Sequence, residues 1–370
     1  GKLTGHWTTE NTDLLDNLIT SLYTDPEKNS ELWIATTGAI TKAYVNLPFT
    51  RIYEKSGIDG SVNNVCSFNG SIYVSTDNGL FKSDLDENGN RVFSRFNNIT
   101  SQIIPLAVAK VANDSFLLAG SNLEGVFKIN PNGKTEILQG KIIDAEKEDV
   151  KRPFLARSIF QSKVKKNRFY FGMINSAIRV LDYNNGLWKF VSNIIGQKGY
   201  ADYLNELNNG DLIFGTLFPD GLYRLHFNDT VPVKYTAAQG VPDSSLNYLK
   251  DYNGSLCLTT GAGIFKLDEQ NDKWIPFDEM TRGYTKNMNV DGFAANENGN
   301  LWITVKDKRY YDILFTFDED SMKIYRGGAL ATLPDLEFFY TTSIDGRDWF
   351  TKFKSLYIVD RERLELKLPK

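Results

Sequence analysis

The most regular feature of the chain is a short apolar run, bounded by polar turns, that recurs at a nearly constant interval. Residues 32–36 read Leu-Trp-Ile-Ala-Thr, residues 256–260 read Leu-Cys-Leu-Thr-Thr and residues 301–304 read Leu-Trp-Ile-Thr. Eight copies follow one another at intervals of 40 to 53 residues, which indicates a repeat protein. The second position of each run provides a reference residue: Trp33, Tyr73, Leu117, Tyr170, Ile213, Cys257, Trp302 and Trp349.

Each copy contains the same four segments. An alternating apolar and polar segment comes first, as at 18–23, and a polar turn follows, with Asn-Gly at 69–70 and 253–254. Asn-Gly between apolar runs is the strongest short-range signal for a β-hairpin. The reference run, a run that starts with Gly, such as 263–267, and an edge-like run, such as 188–191, complete the copy. Four short strands in about 45 residues are typical of a propeller blade, so we predict an all-β fold, a single β-propeller of four-stranded antiparallel blades.

The two ends of the chain predict how the ring closes. Residues 3–9 resemble a fourth strand, because they precede the first strand of copy one as fourth strands precede first strands elsewhere. We expect them to complete the last blade and to leave no open sheet edge. Eight blades in one domain, residues 1–370, are therefore favoured. The alternative is a ring of seven, with one copy serving as a cap or as the start of a second propeller; the run Leu-Glu-Leu-Lys-Leu-Pro at 364–369 itself reads as a fourth strand.

Composition narrows the classes of partner. The chain has 24 Phe, 18 Tyr and 6 Trp, residue types that suit half-buried strands. The formal net charge is −4, and no basic run is long enough to attract a phosphate backbone, so nucleic acid is not an expected partner. No stretch approaches the ~18 apolar residues that span a bilayer. The sequence starts without Met, and we expect that an export signal has been removed.

Candidate chemistry is sparse. The two histidines, His6 and His226, lie in no metal-binding spacing, so the sequence predicts no metal site, no cofactor and no serine-histidine-aspartate triad. Asp202, Glu206 and Asp291 lie on or near predicted first strands. Paired carboxylates are the catalytic groups of glycoside hydrolases, so a propeller glycoside hydrolase or polysaccharide lyase is the alternative to a non-enzymatic binding function. No catalytic residue is assigned.

Three segments resemble a known repeat. Residues 31–38, 240–245 and 299–304 are similar to the two-component regulator propeller repeat, in which a Gly-Leu-Pro-Ser-Asn turn precedes the first strand and a Leu-Trp-Ile-Gly-Thr strand follows. The resemblance implies a propeller from the periplasmic sensor part of bacterial hybrid two-component systems, which typically recognise glycan fragments. It implies a periplasmic or cell-surface location. Sensor ectodomains of this family usually carry more repeats than this chain, in two rings.

Loops at one face of the ring are the predicted ligand site. The loop into each first strand and the loop between strands two and three project on the same face and surround the channel mouth. We expect a small molecule, an oligosaccharide or a protein partner there, and Arg157 requires an anionic partner, either Asp202 or a ligand carboxylate. The predicted binding residues are Arg157, Tyr200, Asp202, Asn247, Asn289, Asp291, Lys308, Arg309, Tyr310 and Tyr311; Asn63, Asn64, Asp77 and Asn122 lie in the same two sets of loops.

Overall fold

The computed structural model consists almost entirely of β-strands. Helical segments within the described residues include a 3-10 turn at Ala237–Gln239 and the helix α1 at Asp278–Thr281. The structure describes residues 7–10, 12, 14–24, 31–45, 49–52, 56–87, 91–138, 142–143, 154–174, 177–217, 221–242, 246–281, 287–295, 301–306, 311–316, 322–325, 340–352 and 354–360.

The first four strands belong to two different sheets. Strands β1 to β3 form a three-stranded sheet, here called the N-terminal sheet, and β4 lies elsewhere. The bounds are β1 Ile19–Thr24, β2 Glu31–Thr36, β3 Ile40–Tyr44 and β4 Phe49–Ile52.

The remaining strands form seven further sheets, here called blades I to VII. Blade I has β5 Val62–Phe68, β6 Ser71–Thr76, β7 Gly79–Leu85 and β8 Arg91–Arg95; blade II has β9 Ile103–Val111, β10 Asp114–Ser121, β11 Val126–Ile129 and β12 Thr135–Ile137. Blade III has β13 Ile142–Ile143, β14 Ala156–Gln161, β15 Arg168–Met173, β16 Ile178–Asn184 and β17 Leu187–Ile194; blade IV has β18 Tyr200–Glu206, β19 Leu212–Leu217, β20 Gly221–Leu225 and β21 Val233–Lys234. Blade V has β22 Leu246–Tyr252, β23 Ser255–Thr260, β24 Gly263–Asp268 and β25 Lys273–Pro276; blade VI has β26 Asn289–Ala295, β27 Leu301–Lys306, β28 Tyr311–Thr316 and β29 Met322–Tyr325; blade VII has β30 Tyr340–Ile344, β31 Arg347–Lys352 and β32 Ser355–Val359, with β4 at its edge.

The reference residues occupy one equivalent position, as the repeat predicts. Each of the eight lies in the second strand of its sheet. The seven in blades I to VII are at most 5% exposed, because a second strand is flanked by strands on both sides and by a blade above and below. Trp33, in the N-terminal sheet, is 39% exposed. The same local sequence therefore has a different environment in the first copy.

Apolar contacts between neighbouring blades form the core. Between blades II and III, the ring of Phe116 packs 5.9 Å from that of Trp188, and Trp188 packs 5.1 Å from Phe169. Between blades VI and VII, the indole of Trp302 donates a 2.7 Å hydrogen bond to the buried Asp348 and packs edge-on against Phe350. Buried aromatic side chains thus fill the space between sheets, and a polar group is buried there with a partner.

The contacts among the described first strands close a ring. They run from β5 through β9, β14, β18, β22, β26 and β30, and return from β30 to β5. Blade VII therefore contacts blade I directly. The favoured count of eight blades is not confirmed, and this circuit favours the seven-bladed alternative, with the first copy as a separate sheet.

The closing strand differs from the one predicted. Blade VII is completed by β4, in which Phe49 pairs with Val359 and Ile52 pairs with Leu356. Of the predicted strand 3–9, the described residues 7–9 are not in a strand, and the others lie outside the described residues. The expectation that residues 3–9 close the ring was wrong. Fourth strands are short and lie at the sheet edge, so several segments fit the same position.

The closing strand generates a stability prediction. Ile52 is 5% exposed and belongs to the apolar cluster between blades I and VII, whereas Thr50 of the same strand is exposed. Ile52→Ala creates a cavity at the closure, so we expect it to lower the free energy of unfolding by about 2–5 kcal/mol. The matched control Thr50→Ala should change it by about 0.5 kcal/mol or less. Urea denaturation followed by tryptophan fluorescence measures both, and equal effects would contradict closure by β4.

Candidate functional site

A β-bulge recurs near the start of the first strand in blades I to VI. In blade III, Ala156 pairs with Met173 and Ser158 pairs with Gly172, so Arg157 is the extra residue. In blade IV, the same shift leaves Asp202 between two paired residues. A bulge places two residues opposite one and redirects a side chain, and bulges are common beside functional sites. The extra residues are Asn63 in blade I, one of Ile104 and Pro105 in blade II, Arg157, Asp202, Asn247 in blade V and Asp291 in blade VI.

A small residue lies opposite each bulge, and in blades I to III the next blade approaches closely there. A Cβ added to Gly172 would collide with the carbonyl oxygen of Ala201 on the next first strand. In blade I the equivalent residue is Ser75, whose hydroxyl donates to the carbonyl of Ile104 on the next first strand at 3.2 Å. The small residue in the second half of the reference run therefore reflects blade spacing at Ser75, Gly120 and Gly172. The set is Ser75, Gly120, Gly172, Gly215, Thr259 and Thr304.

Hydrogen bonds show that the bulges and the loops between second and third strands meet at one end of the channel. The Asn63 amide donates to Asp77 Oδ1 at 3.1 Å and to the Ile103 carbonyl at 2.9 Å. Gln102 donates to the same Asp77 oxygen at 2.5 Å, and Asn122 donates to Gln102 at 2.5 Å. The predicted shared face is therefore present in blades I and II. Hydrogen bonds among Asn63, Asp77, Gln102 and Asn122 hold these side chains in place.

Arg157 and Asp202 form an ion pair between the bulges of blades III and IV. Arg157 Nε lies 3.5 Å from Asp202 Oδ2, and the side chains are 30% and 18% exposed. Burial raises the pKa of Asp202, and the positive charge of Arg157 opposes that rise. The sequence allowed either Asp202 or a ligand carboxylate as the anionic partner of Arg157. In the structure Asp202 is the partner. Both side chains are partly exposed at the channel mouth.

Two buried polar atoms at the bulges have no hydrogen-bond partner among the described residues. They are Arg157 Nε and Asn64 Oδ1, and Asn64 directly follows the extra residue of blade I. A buried polar atom without a partner is costly and is uncommon in folded proteins. Both atoms lie at the same level of the ring.

The other predicted residues fall into two groups. Tyr200 and Asn289 begin the first strands of blades IV and VI, and Tyr311 begins the third strand of blade VI, opposite Lys306. Lys308, Arg309 and Tyr310 lie outside the described residues.

Sequence reasoning missed Gln102 and the bulge itself. Gln102 comes just before β9, which contains Pro105. Proline within a sheet is confined to edges and bulges, so Pro105 in a first strand is a sequence signal for the bulge.

A cavity of about 200 Å³ lies between blades III and IV at the opposite end of the ring. Two of its charged lining groups are already paired. Arg168 Nε donates to Asp182 at 2.9 Å, and His226 Nδ1 lies 3.1 Å from Asp211. The bulge residues at the mouth therefore remain the better candidate site.

Reactive and membrane-spanning features are limited in the described part of the chain. Cys66 and Cys257 are free and buried, and burial raises the pKa of each thiol to about 12. No group of three or more His, Cys, Asp or Glu side chains is arranged to hold a metal ion among the described residues. No described helix has the length and apolar character needed to cross a bilayer.

Solved structures with the same fold include bacterial sensors and enzymes. The extracellular domains of two proposed hybrid two-component systems from B. thetaiotaomicron superpose with TM-scores of 0.63 and 0.63, at 19% and 14% identity over 96% and 93% of this chain. Virginiamycin B lyase from Staphylococcus aureus, a catalytically inactive form bound to quinupristin, superposes with a TM-score of 0.56 at 13% identity over 84% of this chain and 99% of its own. These similarities establish the propeller fold.

The chain spans about half the length of the sensor domains, since it covers 47% of each. No protein-family model matches the sequence, and no curated relative matches it.

The Arg157–Asp202 pair generates a pH prediction. Because burial raises the pKa of Asp202, the folded chain holds this proton more tightly than the unfolded chain does, and ionisation costs stability as pH rises from 3.8 through the raised pKa. Asp202→Asn removes that titration. We expect the stability of the variant relative to the parent to increase over this interval, measured as unfolding free energies by urea denaturation at a series of pH values.

Asp182→Asn is the matched control with the opposite sign. Burial raises the pKa of Asp182, but hydrogen bonds and charge from Arg168 and Lys165 outweigh it, so the net pKa is lowered. The parent should therefore gain stability relative to this variant as pH rises towards 3.8. If the stability difference between variant and parent changed with pH in the same direction for both substitutions, the pKa values of Asp202 and Asp182 would not be shifted in opposite directions.

Proposed function

We propose that this chain is a non-enzymatic ligand-binding propeller of the extracytoplasmic sensor type, and that the ligand binds at the channel mouth on the bulge residues. The observation that carries the proposal is the repeated bulge, which brings one extra residue to an equivalent position in six successive blades. Repetition of a strand irregularity around a ring brings non-identical residues to one end of the channel. Such a convergence of polar groups in a concave surface is typical of binding sites.

The residue types at the bulges favour a hydroxyl-rich or charged ligand. Blades III to VI contribute an arginine, two aspartates and an asparagine, and blade I contributes an asparagine. Amide and carboxylate groups hydrogen-bond hydroxyl groups, and guanidinium groups pair with carboxylates. A neutral or acidic oligosaccharide matches this set. Glycan fragments are therefore the ligand class that we favour, in agreement with the sequence resemblance.

Polar atoms already poised at the mouth support binding. Arg157 Nε and Asn64 Oδ1 are buried and lack hydrogen-bond partners among the described residues. Arg157 Nε already has Asp202 Oδ2 at 3.5 Å, so Asn64 Oδ1 is the atom to which a ligand would add a missing partner, after a side-chain shift that exposes it. The network of Asn63, Asp77 and Gln102 holds the neighbouring side chains in place, which lowers the entropy that binding must overcome.

The extracytoplasmic location is supported by the structural neighbours. The B. thetaiotaomicron proteins are described as extracellular domains of hybrid two-component systems, and they share the fold over nearly all of this chain. Fold alone does not determine function, because a lyase shares it as well. A carbohydrate hydrolase or lyase is thus the second candidate, and Asp202, with its raised pKa, is the carboxyl group suited to act as an acid.

A binding screen separates these functions. We expect neutral or uronic-acid oligosaccharides to raise the melting temperature by mass action, with the sugar recovered intact by mass spectrometry. Cleavage of the sugar would replace the proposal with an enzyme. No shift with any sugar would contradict glycan binding and favour a protein partner.

Variants locate the site for any sugar that binds. We expect Arg157→Gln and Asp202→Asn to weaken binding about tenfold or more, which corresponds to about 1.4 kcal/mol, measured by titration calorimetry. The matched control is Lys163→Gln with Asp251→Asn. That pair lies 3.4 Å apart, compared with 3.5 Å for Arg157 and Asp202, but it is at the turns of the opposite end. Equal weakening by both pairs would place the ligand elsewhere.

A further inference from the structure

The terminal guanidinium nitrogens of Arg157, Nη1 and Nη2, are open at the channel mouth. Its Nε lies 3.5 Å from Asp202 Oδ2, farther than the about 2.7–2.9 Å of a charge-assisted hydrogen bond. Among the described residues, nothing accepts a hydrogen bond from Nη1 or Nη2, and neither is one of the buried polar atoms that lack a partner, so both are accessible to solvent. The ion pair with Asp202 therefore leaves these two nitrogens available to a ligand.

Two other arginines of the same blades have the opposite arrangement. Arg168 of blade III donates from Nε and Nη2 to Asp182 at 2.9 and 3.3 Å. Arg224 of blade IV donates from Nε and Nη2 to Asp211 at 2.9 and 2.6 Å. Their side chains are 13% and 12% exposed, compared with 30% for Arg157. A guanidinium group that the protein already pairs stabilises the fold, whereas the open one matches the two oxygens of a ligand carboxylate.

The hydrogen-bond network of blades I and II presents acceptors instead of donors. The amide nitrogen of Asn63 makes two hydrogen bonds within the protein, to Asp77 Oδ1 and to the Ile103 carbonyl, so both of its hydrogens are used. Asp77 Oδ1 accepts from Asn63 and from Gln102. The oxygens Asn63 Oδ1 and Asp77 Oδ2 accept from none of the residues that the structure describes. This side of the mouth thus offers oxygens, which accept hydrogen bonds from hydroxyl groups.

We infer that the ligand of this site is a sugar acid of the uronic-acid type, which carries both hydroxyl groups and a free carboxylate. The inference rests on the proposed function and narrows its ligand class. The carboxylate binds Nη1 and Nη2 of Arg157, and hydroxyl groups donate to Asn63 Oδ1 and Asp77 Oδ2 on blade I. Asp202 remains at Nε as a positioning residue that orients the guanidinium plane.

Charge fixes the orientation of such a ligand. Hydrogen bonds between a guanidinium and a carboxylate are about twice as strong as those between neutral groups, so a neutral sugar gains less from Arg157. The negative charge of Asp77 repels a carboxylate, which disfavours the reversed orientation. A sugar acid therefore satisfies the donors of blade III and the acceptors of blade I at the same time.

Sugar acids and their methyl esters test the ligand class on the chain of residues 1–370. The probes are trimers of galacturonic, glucuronic and mannuronic acid, each with its methyl ester, which keeps the hydroxyl groups and removes the charge. We expect titration calorimetry to show that one acid binds about tenfold or more tightly than its ester. Equal affinities, or binding of esters or neutral sugars without binding of any acid, would overturn the inference and leave the proposed glycan site intact. Binding of neither acids nor neutral sugars would overturn both.

A lysine substitution separates the shape of the guanidinium group from its charge. Arg157→Lys keeps the positive charge but loses the paired nitrogens, so we expect it to weaken binding of the acid about tenfold or more and to leave the ester within about twofold. The matched control Arg168→Lys, at the opposite end of the ring, should leave the affinity for the acid within about twofold. Equal weakening by both substitutions, or an equal loss for acid and ester, would contradict the carboxylate contact.

A variant of blade I tests the hydroxyl contact. Asp77→Asn replaces one acceptor oxygen with a donor, so we expect the affinity for the uncharged ester to fall about fivefold. The ester is the probe here because the substitution does not change its electrostatic attraction to the site. Unchanged affinity would contradict the contact with Asp77. The comparison of acid with ester uses the unaltered chain, so it decides the ligand class even if a variant fails to fold.

Discussion

The structure depends on the need of each blade to cover two apolar faces at once. A twisted four-stranded sheet with large side chains on both sides is stable only between two others, and a closed ring supplies such neighbours to every blade. Trp349, Trp302 and Trp274 lie fully buried under this constraint. Trp33 occupies the equivalent position in the first copy and is 39% exposed. Strand β4 pairs with β32 of blade VII at the point where blades VII and I close the ring.

The same close packing shapes the candidate site. Neighbouring first strands approach so closely near the channel mouth that Gly172 leaves no space for a Cβ. The bulge beside it turns one residue of each of blades I to VI out of the ladder. In blades I and III that residue contacts the next blade through polar groups, Asn63 with the Ile103 carbonyl and Arg157 with Asp202. The small residue Gly172 thus serves packing, and the proposed binding residue Arg157 lies beside its partner Ser158.

Sequence reasoning located the repeat well, because strand signals are local. Every reference residue lies in a second strand, and Arg157 and Asp202 were both placed at the starts of first strands, where the structure has them paired. The failure concerned fourth strands. Residues 3–9, 49–52 and 364–368 all have the short pattern of an edge strand, and nothing within these sequences indicates that 49–52 is the segment that pairs with β32. Gln102 was missed because its role arises from Asp77, a neighbour in another blade.

The sequence by itself determined the strand repeat, the hairpin turns, the all-β fold and the positions of polar residues at strand starts. These follow from side-chain alternation and turn chemistry within a few residues. Only the tertiary structure decided which strand closes the ring, how many blades the circuit contains and that Arg157 faces Asp202. Such choices join distant segments: Arg51 donates to Ser355, 304 residues away. They are settled by which arrangement buries the most apolar surface without leaving an open edge, a property of the assembled ring rather than of any segment.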